Sequence, residues 1–155
     1  MVKPIPDGYH SVTPYLTVDD AAAAIDFYGE ALGATEVSRM PMGDKIGHAE
    51  IKIGDSHVML SDEFPERDKL SPKSRGGATG SVLVYVDDVD SAFKRAIDAG
   101  ATEDMAVADQ FWGDRMGSLR DPFGHKWMLA THVEDVSDDE IQRRLAEMGR
   151  QPQPA

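Results

Sequence analysis

Hydrophobic and polar positions along the chain follow two spacings that alternate and then repeat. From Ser11 to Val18 they alternate singly, with Val12, Pro14, Leu16 and Val18 on one side and Thr13, Tyr15 and Thr17 on the other, the period of a half-buried strand. Pro14 brings no N–H donor and suits a sheet edge. The spacing then lengthens to that of a helix, in which Ala24, Ile25, Tyr28 and Leu32 form a stripe, Asp19 or Asp20 caps the start and Gly33 stops it. Thr35 to Met40 reads as the next strand. His48 to Ile53 and Ser56 to Asp62 read as a hairpin about Gly54-Asp55, and a two-residue turn sets Ile53 opposite Ser56, Lys52 opposite His57, Glu50 opposite Met59 and His48 opposite Ser61. One hairpin face is apolar (Ala49, Ile51, Ile53, Val58, Leu60) and is assigned to the helix. The other carries His48, Glu50, Lys52, His57, Met59 and Ser61, which suits a cleft.

The punctuation then recurs. Val18-Asp19-Asp20 and Gly33-Ala34-Thr35-Glu36 return as Val86-Asp87-Asp88 and Gly100-Ala101-Thr102-Glu103, a duplicated unit rather than a many-repeat solenoid. Residues 63–79, rich in Pro, Gly and charge, read as a linker. The second copy has a strand over Gly80 to Val86 and a helix over Asp88 to Ala99 with Val89, Ala92, Phe93, Ala96 and Ile97 inward. Strands over Thr102 to Asp109, Gly113 to Arg120 and Lys126 to His132 follow, the last two joined by the turn Asp121-Pro122-Phe123-Gly124. The predicted class is α+β: a βαβββ module at 11–62, a linker, a second βαβββ module at 80–132 and a C-terminal helix at 137–148. That helix opens on the capping box Ser137-Asp138-Asp139-Glu140, and its stripe of Ile141, Leu145 and Met148 covers an edge, packs across a dimer or forms a surface lid. Gly149 and the Pro-containing end are expected to fray.

Composition narrows the function. The 155 residues carry 28 acidic and 16 basic side chains, a net charge of −12, with no basic stripe, so nucleic acid and anionic membrane surfaces are excluded as partners. Cysteine is absent, which removes disulfides, thiolate metal sites and cysteine nucleophiles. Met1 to His10 has no apolar segment of the signal-peptide kind, no long apolar run occurs elsewhere, and a cytoplasmic location is expected. Neither a GxxxxGK phosphate loop nor a nucleophile elbow is present.

Strand, helix and three strands given twice, with Asp-Pro-x-Gly before the final strand, resemble the vicinal oxygen chelate superfamily of glyoxalases, bleomycin-resistance proteins and extradiol dioxygenases. The resemblance covers about residues 10–133. Ile25-Asp26-Phe27-Tyr28-x-x-x-Leu32-Gly33, His48-Ala49-Glu50, Met59-Leu60-Ser61-Asp62 and Phe111-Trp112-Gly113 are similar to its PhnB-like branch. The resemblance implies two curved sheets forming a cup around a ligand, within one chain or swapped in a homodimer, which is the expected assembly. It also implies four strand positions at which family enzymes hold a divalent metal with His, Gln or Glu. Those positions fall here on Thr13 (Pro14 with a one-residue shift), Glu50, Ser81 and Met128, and only Glu50 is a usual ligand. No metal and no cofactor are therefore expected.

The expectation is a metal-independent glyoxalase/bleomycin-resistance-like protein that binds a small, partly apolar or aromatic molecule. The alternative is an enzyme of the lyase, isomerase or dioxygenase kind using Glu50 as base or metal anchor, aided by His48; whether it is an enzyme stays open. Thr13, Tyr15, Met59, Ser61, Ser81, Leu83, Tyr85, Phe111, Trp112, Arg115 and Met128 are the candidate ligand contacts. Methionines and aromatics make an adaptable wall. At most one of Phe111 and Trp112 faces the pocket if that stretch is extended. Arg115 pairs either with an anionic ligand group or near Asp114. His57 and Lys52, beside the turn, are expected in solvent, and the bland reading of Glu50 is a hydrated cross-strand charge ladder.

Overall fold

A computed structural model describes residues 2–149; the Pro-containing end after Gly149 lies outside the described residues. The chain opens with an arm and then β1 (Tyr15–Val18), shorter than the alternation predicts. Pro14 has no N–H to give the ladder, although its carbonyl still accepts from Met59 N at 2.9 Å. Helix α1 (Ala21–Leu32) is built on an alanine run; the Asp20 carboxylate accepts from Ala23 N at its start, and Gly33 ends it in a left-handed conformation, φ 66°. Strands β2 (Thr35–Met42), β3 (Lys45–Ile53) and β4 (Ser56–Asp62) complete the first sheet, in the order β1-β4-β3-β2. The hairpin register is the expected one: Ile53 faces Ser56, Lys52 faces His57 and Glu50 faces Met59.

The stretch read as a linker carries local structure. A 3-10 turn at Pro65–Arg67 precedes the short helix α2 (Pro72–Arg75), whose first turn is capped by Ser71 and opened by Pro72, a residue that needs no donor there. The second module repeats the first: β5 (Ser81–Tyr85), α3 (Val89–Asp98), β6 (Thr102–Asp109), β7 (Asp114–Arg120) and β8 (Lys126–His132), in the order β5-β8-β7-β6. The tail ends in α4 (Asp138–Met148), capped by Ser137.

Strand alternation gives each sheet one face for its helix. Leu16, Val18, Ala49, Ile51, Val58 and Leu60 pack under α1, while Leu119, Trp127 and Leu129 pack under α3. Fully buried aliphatic side chains such as Ile51, Leu60, Leu119 and Leu129 contribute about 1.5–3 kcal/mol each. The helices meet each other, and Phe27 and Tyr28 of α1 pack edge-on against Phe123 at centroid distances of 6.0 and 6.2 Å. The core therefore lies on the helix side of both sheets. The opposite faces are left for other work.

Candidate functional site

The free face of the first sheet presents Tyr15 and Thr17 from β1, Met59 and Ser61 from β4, and His48, Glu50 and Lys52 from β3. Glu50 is only 7% exposed and is approached by two groups. His57 Nδ1 lies 2.5 Å from its Oε1, and the Tyr9 hydroxyl, reaching in from the N-terminal arm, donates to the same oxygen. The Tyr9 ring stacks on His57, with centroids 4.1 Å apart and planes 16° from parallel. The hydrogen bond to Glu50, then burial, raises the Tyr9 pKa above that of a free phenol. His48 does not join this group; its Nδ1 lies 3.0 Å from the Tyr15 hydroxyl, and Lys69 sits over the Tyr15 ring. The sequence paired Glu50 with His48 and left His57 in solvent. The structure instead pairs Glu50 with His57, because the arm folds over that end of the hairpin and dries it. No strand periodicity announces Tyr9; its only signal is an aromatic directly after Gly8, which turns the arm at φ 84°. Ser61 is fully buried, with no hydrogen-bond partner for its Oγ, and so is closed to a ligand in this conformation.

The free face of the second sheet carries Ser81, Leu83 and Tyr85 from β5, Met128 from β8, and Asp114, Met116 and Ser118 from β7. Leu83 and Tyr85 are exposed, Met128 is half-buried, and the Ser81 hydroxyl approaches the Met128 sulfur at 3.3 Å. Asp114 is a buried node: it accepts from the Tyr85 hydroxyl at 2.9 Å and Trp112 Nε1 at 3.1 Å, and it lies 2.8 Å from His132 Nδ1. Burial opposes ionisation of Asp114, yet the bonds from His132, Tyr85 and Trp112 outweigh it and hold its pKa below the ordinary carboxylate value. Phe111 and Trp112 lie in a turn rather than an extended strand and pack edge to face at 4.9 Å, so the alternation argument does not apply to them. Arg115 turns to the helix side, bound to Asp90 of α3 at 2.7 and 2.8 Å and to Asp109 at 3.0 Å. Asp90 and Asp109, and not Asp114, are thus the partners of Arg115.

The two modules fix each other's numbering. Asp62 Oδ1 accepts the first helical N–H, Ala21 N, at 2.7 Å, and Thr131 Oγ1 accepts the matching Val89 N at 2.9 Å. Tyr15 pairs with Met59 as Leu83 pairs with Met128, so Met59 and Met128 are counterparts. Glu50 pairs with Met59 as Ser118 pairs with Met128, so Glu50 matches Ser118. The repeat therefore assigns the four equivalent positions to Thr13, Met59, Ser81 and Met128, with Glu50 one strand away. Cross-strand partners share a face, which is why the sequence does not separate them. Two hydroxyls and two thioethers do not fit a hard divalent cation that takes nitrogen or carboxylate donors. Among the described residues, no group of three or more His, Asp or Glu is placed to hold a metal ion.

A cavity of about 580 Å³ at the seam is lined by Tyr15 and Thr17 from one free face, Ser81 from the other, and His125 and Lys126. No helix among the described residues is long and apolar enough to cross a membrane. Residues 8–129 match the family model of the Glyoxalase/Bleomycin resistance protein/Dioxygenase superfamily. The chain is 45% identical over 143 residues to the uncharacterized protein Rv0887c of Mycobacterium tuberculosis, covering 90% of this chain and 84% of that protein. Among solved structures, TioX from Micromonospora sp. ML1 aligns with a TM-score of 0.64 and 30% identity, over 80% of this chain and 99% of that one. Protein PA1353 from Pseudomonas aeruginosa aligns with a TM-score of 0.64 and 27% identity, over 81% and 99%.

Proposed function

The chain belongs to the Glyoxalase/Bleomycin resistance protein/Dioxygenase superfamily, and within it we propose that this chain is a metal-independent binding protein for a small, partly apolar or aromatic molecule held on the free faces of its two sheets. The observation that carries this reading is the pair of methionines, Met59 and Met128, at equivalent strand positions, joined by Thr13 and Ser81. Thioethers are soft, polarizable surfaces for rings and poor Lewis-acid anchors. Tyr15, Leu83 and Tyr85, exposed at 45%, 39% and 58%, extend the same faces with apolar bodies that a ligand would cover. Each aromatic also brings a hydroxyl with a fixed partner, His48 for Tyr15 and Asp114 for Tyr85, so the wall is preorganised.

The test has two halves. Untagged protein is incubated with nickel, zinc, manganese or ferrous iron, desalted and weighed by native mass spectrometry; no stoichiometric metal is expected. A library of small aromatic compounds is then screened by thermal shift and calorimetry, and at least one compound is expected to raise the melting temperature through linkage, with Leu83→Glu weakening it. One metal retained per chain, or a library without a single binder, overturns the reading.

A further inference from the structure

We propose that Glu50 and His57 form a receptor for a phenolic ring, and that Tyr9 of the N-terminal arm is its tethered occupant, a strap that a phenol-bearing ligand displaces. The proposal rests on the reading of the free faces as a ligand site and names the chemistry of one end of it. Three features of the contact are those of a binding site rather than of core packing. The acceptor is a carboxylate oxygen buried in the sheet, the donor is a phenol hydroxyl, and the ring lies flat on an imidazole. A charge-assisted bond to a single buried oxygen selects for a hydroxyl on the ring. The stacked imidazole selects for a planar ring.

The arm has little else to hold it. Val2 is 94% exposed and Ile5 47%; over residues 2–10 the other hydrogen bonds stay local, Lys3 Nζ to Asp7 and Tyr9 N to Pro6 O, and the exposed His10 Nε2 lies 4.0 Å from Asp55 Oδ2 of the hairpin turn. Between arm and sheet lies a cavity of about 450 Å³, lined by Pro4, Ile5, Pro6 and Tyr9 on one side and by Thr13 and Met59 on the other. Releasing Tyr9 therefore opens Glu50 directly onto the methionine wall. Tethered groups on short flexible segments act at effective concentrations on the order of millimolar, so the strap competes with weak phenols and yields to tight ones.

The probe is p-cresol, the tyrosine side chain without its backbone, and the control is 4-methylanisole, the same ring with its hydroxyl methylated. Calorimetry on the full chain compares wild type, Tyr9→Ala, Tyr9→Phe and the double variant Tyr9→Ala/Glu50→Gln. Tyr9→Ala is expected to bind p-cresol about tenfold more tightly than wild type, by removal of a millimolar competitor. The double variant loses that gain, and 4-methylanisole, which can stack but not donate, gains less than p-cresol from Tyr9→Ala. In wild type, saturating p-cresol is expected to speed amide hydrogen exchange in residues 2–10. Unchanged affinity in a natively melting Tyr9→Ala, or a gain that survives Glu50→Gln, overturns the proposal. If Tyr9→Ala does not fold, Tyr9→Phe, which keeps the stacked ring and loses the donor, replaces it with a several-fold gain expected, and wild-type exchange unmoved by p-cresol overturns the proposal by itself. A library ligand that binds regardless of Tyr9 and Glu50 leaves the general binding reading standing and sinks this one. Glu50-dependent p-cresol binding in a protein that retains a metal does the reverse.

Discussion

His132 shows how one side chain ties the second sheet to the tail. Its Nε2 lies 2.9 Å from Asp135 Oδ1 and its Nδ1 lies 2.8 Å from Asp114 Oδ1. The bond to Asp135 first, and that to Asp114 next, raise its pKa above the ordinary 6.5. A raised folded-state pKa contributes stability that is fully present below the unfolded value and is lost as pH rises through the folded one. Asp114, held low, contributes in the opposite sense: its share is present above the unfolded carboxylate value and fades as pH falls. Urea unfolding should therefore find wild type more stable than His132→Gln in mildly acidic buffer, with the gap closing as pH passes above 6.5 and through the folded pKa. A gap that widens with pH would show that the imidazole is not the proton-binding partner. The same scale shows where sequence reading reached and where it stopped. Glu50 stood out because it is the one usual metal ligand among the positions the family resemblance implies and faces Met59 across the hairpin. Its partners were not readable, since Tyr9 comes from an arm with no period and His57 owes its burial to that arm.

At the scale of elements, the strands, caps and stops were legible because each carries its own chemistry: a two-residue Gly54-Asp55 turn fixes a register, and Asp20, Asp88 and Ser137 each accept from a helical N–H three residues on. What holds α4 was not legible, because it depends on a backbone crossing. Gly113, at φ 105°, lets the tail pass so closely that a Cβ there would stand 2.0 Å from the Glu134 carbonyl oxygen. The Gly113 carbonyl in turn accepts from Val133 N at 2.9 Å and Glu134 N at 3.0 Å. Arg144 then clamps the helix, bonding Glu134 at 2.7 and 3.0 Å and the Phe111 carbonyl at 3.1 Å. Gly113→Ala meets both a disallowed conformation and a backbone clash, and should cost more than about 1 kcal/mol while freeing the tail. Trypsin is the readout: cleavage after Arg143 and Arg144 should accelerate strongly, whereas unchanged resistance would mean that α4 is held by something other than this crossing.

For the whole molecule, the question is whether two similar modules behave as two bodies or one. Each has its own sheet and helix, but their buried apolar side chains form one continuous cluster, which opposes relative motion of the modules. Specific polar contacts add to it. Asp121, in the turn before β8, is buried and accepts four donors: the Tyr28 hydroxyl of α1 at 2.6 Å, Trp127 Nε1 at 2.8 Å, and the backbone N–H groups of Phe123 and His125, both at 2.9 Å. His125 Nε2 reaches the Thr17 carbonyl of β1 at 2.8 Å, and Arg95 Nε of α3 reaches the Ala31 carbonyl at the end of α1 at 3.2 Å. A buried carboxylate that needs a donor from the other module penalises separation, because undocking strips that donor before water replaces it. The seam cavity lies beside these contacts, with Tyr15 and Thr17 of β1 and Ser81 of β5 in its wall. Tyr28→Phe removes one hydroxyl from a fully buried site and should lower stability by about 1–3 kcal/mol. In urea, the wild type should unfold in one transition, with far-UV circular dichroism, which reports both modules, coinciding with fluorescence from Trp112 and Trp127 in the second. Tyr28→Phe should shift that transition to lower urea without changing its slope. Two separated transitions in the wild type, with Tyr28→Phe moving only one of them, would mean that the modules fold independently and that the seam is free to open.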